Sequence, residues 1–77
     1  MITKQDLHFV KTGKRYEMAR IPDFIIYRGF SPVTQNTHVM VVSDENPLGV
    51  TIMVQIKDPD VALERFLKLL NTAREML

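Results

Sequence analysis

The sequence has no cysteine, so no disulfide can brace it and no thiolate zinc site can form. Its three glycines, Gly13, Gly29 and Gly49, stand singly, so there is no glycine-rich phosphate loop. No apolar run approaches the roughly 20 residues that a membrane-spanning helix needs. The opening stretch MITKQDLHF lacks the apolar core of a secretory leader. These absences lead to the expectation of a cytoplasmic protein with no membrane partner. Strong charge of either sign is missing too, the net value being +1. Residues 1–30 carry six Lys and Arg against three acidic residues, and residues 31–77 carry four against six. That is a lopsided dipole rather than the basic stripe of a nucleic-acid surface.

What is present is an ordinary globular balance, 45% hydrophobic and 25% charged, in 77 residues. That length holds one domain and a small core. Without a staple, such a domain depends on good packing or on oligomerisation.

The most legible element is a helix from Asp58 to Leu77. Asp58 suits the N-cap, and Pro59 suits the first helical position, where its missing N–H costs nothing. Asp60 complements the positive end of the helix dipole. Leu63, Phe66, Leu67, Leu70 and Leu77 follow helical spacing, and Ala62, Leu69 and Ala73 widen the stripe, with Met76 at its margin. Glu64, Lys68, Asn71, Thr72 and Glu75 fall on the other side.

Strand patterns fill the rest. Val50, Ile52, Val54 and Ile56 alternate with Thr51, Met53, Gln55 and Lys57, and residues 38–42 form a β-branched run. The polar segment Ser43–Gly49 between them reads as a hairpin loop. Phe24–Phe30 is a third strand with apolar residues on both faces, in which Gly29 marks a bulge or a close backbone approach. Pro22-Asp23 separates it from a weaker strand over 15–21. The first dozen residues admit two readings. Thr3–Asp6 fits a capping box opening a short helix over 4–11, with Gly13 as its C-terminal glycine. Alternatively, residues 7–11 pair with 15–20 around Thr12-Gly13, which is preferred because a two-turn helix is marginal alone. Residues 34–37 read as the loosest loop. The fold expected is α+β: a four- or five-stranded, mostly antiparallel meander with one C-terminal amphipathic helix on one face, all within a single domain over residues 1–77.

No chemical motif stands out. His8 and His38 lie thirty residues apart, with no histidine or carboxylate at ligand spacing, so no metal, cofactor or catalytic set is expected. The apolar excess is more informative, since one helix covers one sheet face. If Phe24, Ile26 and Phe30 face the helix, then Ile25, Tyr27, Met53 and half of the 38–42 run lie exposed on the other side, unless the N-terminal segment folds over them. The leading reading is therefore a small non-enzymatic protein acting through protein–protein contacts, as a regulator, inhibitor or accessory subunit, and pairing as a homodimer. Its candidate contact residues are Phe24, Ile25, Tyr27, Met40 and Met53, with Met18 among the adaptable methionines. The second reading is nucleic-acid binding through Lys11, Lys14, Arg15, Arg20 and Arg28, with Tyr16 beside them to stack on a base. The third is an enzyme or small-ligand binder whose site forms between protomers around His8 or His38.

Overall fold

The computed structural model describes residues 1–43 and 46–75. After a single 3-10 turn at Lys4–Asp6, five strands follow in order: β1 (Val10–Thr12), β2 (Tyr16–Ile21), β3 (Phe24–Ser31), β4 (Asn36–Ser43) and β5 (Asn46–Ile56). They form one antiparallel sheet in chain order, β1-β2-β3-β4-β5, and the helix α1 (Pro59–Glu75) packs across it. The α+β meander with one covering helix is thus the observed architecture. Met76 and Leu77 of the expected helix, and Asp44 and Glu45 of the expected loop, lie outside the described residues.

Local chemistry accounts for the element boundaries. The Asp58 carboxylate accepts from the N–H groups of Asp60 (2.9 Å) and Val61 (3.3 Å), which otherwise lack intrahelical partners. Asp58→Ala is therefore expected to lower stability by about 1 kcal/mol, read as a shift in the urea midpoint without a change of slope. At the β2–β3 turn, Pro22 precedes Asp23 at φ +72°, the left-handed second position that a type II turn requires. In the β1–β2 turn, Gly13 takes φ +87°, which glycine adopts without strain.

Both readings of the N-terminus contribute. The Thr3–Asp6 box exists, with the Thr3 N–H donating to Asp6 Oδ2 at 2.8 Å. Together with the Thr3 hydroxyl, this bond holds the Asp6 carboxyl below its ordinary range. It secures only one turn, and the chain then enters a hairpin shorter than the expected pairing of 7–11 with 15–20, in which Val10–Thr12 pair with residues 16–18 and the turn lies at residues 13–15. Gly13 serves that hairpin, not a helix end.

The β4–β5 connection departs from expectation. Residues 46–49 belong to β5, because pairing continues to Ser43 opposite Asn46. The register slips between Val41 and Val42 and again between Val42 and Ser43, leaving Thr51 and residues 47–49 without a residue opposite on β4. Pro47 and Gly49 thus mark bulged backbone, a tolerated use of both residues in a strand.

The core lies between α1 and one sheet face. Ala62, Leu63, Phe66, Leu67 and Leu70 meet Ala19, Ile21, Ile26, Val39, Val41 and Val54. Leu69, expected in the stripe, is 51% exposed. Ala62, two turns earlier and only about 20° away round the helix, is fully buried, so this edge of the stripe is covered at the start of α1 and open further along it. The N-terminal segment also packs on this side, through Ile2, Leu7 and Phe9. It is fastened there by Asn71, whose amide donates to Ile2 O (2.8 Å) while its Oδ1 accepts from Ile2 N (2.9 Å). Asn71, read from the sequence as part of the solvent face, is instead a clamp. The segment therefore does not fold over the opposite sheet face.

Candidate functional site

The sheet face away from α1 is organised by the cross-strand register. Val10 pairs with Met18, Met18 with Tyr27, Tyr27 with Met40, and Met40 with Met53. Directly opposed residues in adjacent strands share a face, so these five side chains form one uncharged row across all five strands. A second row runs Thr12, Tyr16, Gly29, His38, Gln55, and a third runs Arg20, Ile25, Val42, Val50 by backbone pairing. Thr12, Tyr16, Tyr27 and Met40 line a shallow cavity of about 320 Å³ where the first two rows meet. Val10 is 56% exposed and Met53 43%, and Met18, Tyr27 and Met40 are half-buried against one another.

Of the five contact residues read from the sequence, Tyr27, Met40 and Met53 come together in the central row. Phe24 does not join them: it pairs with Ile21 on the helix side and packs against the core. Ile25 is on the open face as expected but not exposed, being buried beside its cross-strand partner Val42. Met18, read from the sequence as an adaptable methionine, joins them, and Val10 and Tyr16, absent from the sequence-derived contact set, complete the surface. The alternation of Tyr16 and Met18 was visible, but which face they share with β3 depends on a register that β2 does not reveal alone.

The cations of the second reading do not converge as a set. Lys11 and Arg28 both pair with Glu17 in register on the helix side, whereas Arg20 pairs with Ile25 on the open face. Lys14 and Arg15 occupy the β1–β2 turn. Arg28 is engaged within the fold, its guanidinium 3.3 Å from Glu17 Oε1 and 4.0 Å from the centre of the Phe9 ring. His38 sits on the open face with Nε2 3.0 Å from Thr34 Oγ1, and His8 is exposed just before β1. Among the described residues, no group of three His, Asp or Glu side chains is placed to hold a metal ion, and no helix is long and apolar enough to cross a membrane. No protein family, curated protein or solved structure matches this chain.

Proposed function

We propose that the chain is a small non-enzymatic binding protein that acts through the open face of its sheet, and that its first partner there is a second copy of itself. The observation that carries this reading is the unbroken row Val10, Met18, Tyr27, Met40, Met53. Rows of methionine and tyrosine suit contact surfaces, because thioethers adapt their shape and tyrosine supplies large area at low entropic cost. The face is also nearly free of charge, with Arg20 at one corner as its one Lys, Arg, Asp or Glu among the paired positions. Two copies of a charged face would repel; two copies of this one would not. Stacked face to face, the sheets would make a sandwich about 10 Å thick. A role as regulator, inhibitor or accessory subunit within the cytoplasm follows from the same reading.

Five strands at about 4.8 Å spacing give a face ~20 Å wide, and the eight residues of β3 and β4 make it ~25 Å long, so its area of roughly 500 Å² is small against the ~800 Å² per partner of a standard interface. A weak dimer is therefore expected, with dissociation on the order of micromolar. Sedimentation equilibrium across a concentration range spanning that value should show the mass rising from monomer to dimer. Met40→Lys should weaken the association about tenfold or more by placing an unpaired charge within the row, between Tyr27 and Met53. A chain that stays monomeric throughout, or a variant that dimerises as the parent does while remaining folded by circular dichroism, would sink the proposal.

A further inference from the structure

The helix-side surface carries a second feature that the open-face reading does not use. Where the β1–β2 turn meets the start of α1, a groove of about 420 Å³ opens among Arg15, Arg28, Phe30, Thr37 and Lys57, with Glu17 on its wall. The register gathers these residues at one end of the molecule: Tyr16 opposes Gly29, Phe30 opposes Thr37, and Thr37 opposes Ile56, just before Lys57. Three cations thus face one carboxylate. That carboxylate is already engaged by Arg28, whereas Arg15 and Lys57 make no ion pair among the described residues. Phe30 leaves 52% of its surface open to solvent at the groove, so its ring is available for contact beside the cations. The nearby start of α1 adds little to anion binding, because its first N–H groups are occupied by Asp58.

We propose that this groove binds single-stranded nucleic acid, with Arg15 and Lys57 contacting backbone phosphates, Arg28 fixed behind them, and Phe30 providing a face for one unstacked base. The pairing of free cations with an exposed ring decides the ligand class. Backbone phosphates meet the charge, and a flat base covers the phenyl ring that an acidic peptide would leave bare. A duplex keeps its bases stacked and cannot offer one to Phe30. The groove's volume falls in the range of small-ligand sites, so it takes about one nucleotide at a time. With two phosphates neutralised, by Arg15 and Lys57, the logarithm of affinity should fall with the logarithm of salt at a slope of about −1.4. This site uses different residues from the homodimer face, so each proposal can fail without the other.

The test is fluorescence anisotropy with a labelled oligothymidylate of about ten nucleotides at low salt. Arg15→Glu and Lys57→Glu should each weaken binding about tenfold or more, and Phe30→Ala about fivefold to tenfold. All three side chains are exposed, so the fold should persist in every variant. Arg74→Glu makes the same charge change near the other end of α1 and should alter binding by less than about twofold, as a contact outside the groove would. The proposal is overturned by absent binding, by Arg74→Glu weakening it as much as Lys57→Glu, or by Phe30→Ala binding like the parent. Polyglutamate or duplex DNA competing as well as the oligothymidylate would overturn it equally.

Discussion

Phe66→Ala should cost about 3–5 kcal/mol, the range for removing a fully buried phenylalanine. Phe66 has no exposed surface and sits in the layer between α1 and the sheet, among Ile26, Val39, Val41 and Leu63. Against it stands a total stability of about 4–12 kcal/mol, scaled from typical per-residue values to a chain of this length. With no disulfide to limit the unfolded state, the variant should lose about a quarter or more of its stability and in the lower part of that range unfold outright. Phe66→Leu keeps most of the volume and should cost much less. Urea denaturation followed by circular dichroism gives both values. A loss under about 1 kcal/mol for Phe66→Ala would mean that the helix does not seal the sheet as described. Leu69→Ala, three residues further on and half exposed, should change stability by no more than about 0.5 kcal/mol.

That contrast shows what the sequence could and could not convey. The helix was legible because its signals are local: an Asp-Pro start, then apolar residues at helical spacing. The buried width of its stripe was not, because it depends on how far the sheet extends beneath it, and so Leu69 was placed inside when it lies outside. The strands behaved likewise. Alternation in Phe24–Phe30 separated Ile25 and Tyr27 from Ile26 correctly. Exposure of Ile25 did not follow, since Ile25 and its register partner Val42 are both buried on that face, which alternation alone does not reveal. The central row was hidden for the same reason. Met18, Tyr27, Met40 and Met53 lie far apart in the chain and become neighbours only after three turns fix three registers. Pro47 and Gly49 misled in a physical way. Both interrupt regular pairing, and an interruption inside a strand and one between strands look alike when only residue types are read.

The cations illustrate the same limit. Lys11, Lys14, Arg15, Arg20 and Arg28 form a cluster in sequence, but β-structure sends alternate side chains to opposite faces. Arg20 is thereby separated from Arg28, and Arg28 is committed to Glu17 and Phe9. Lys57 and Phe30, neither of them in that set, enter the groove because β3 and β5 end beside the β1–β2 turn. Proximity in sequence selected some of the right charges. Strand pairing decided which of them share a surface.

Gly29 lies where the two surfaces meet, and Gly29→Ala is expected to cost about 2–3 kcal/mol, the upper part of the range for overpacking. A β-carbon there would lie 2.5 Å from the Arg15 carbonyl oxygen and 2.6 Å and 2.9 Å from two atoms of the Tyr16 ring. The ring is partly exposed and can swing aside, whereas the carbonyl can move only by opening the end of the β2–β3 ladder, where Tyr16 opposes Gly29. The pairing with β4 runs unbroken through Gly29 and the pairing with β2 reaches it without a register shift, so of the two roles read from the sequence, bulge or close approach, the structure supports the close approach. Adding Tyr16→Ala removes the ring contacts but leaves the carbonyl contact. The penalty for Gly29→Ala should then shrink by about 1 kcal/mol without vanishing, a coupling that a double-mutant cycle in urea can measure. Strict additivity would show that the ring does not resist the added methyl. An unchanged stability in the single variant would show that no close approach exists. The variant also bears on both proposals, because relief of the clash must displace Tyr16 on the open face, Arg15 in the groove, or both.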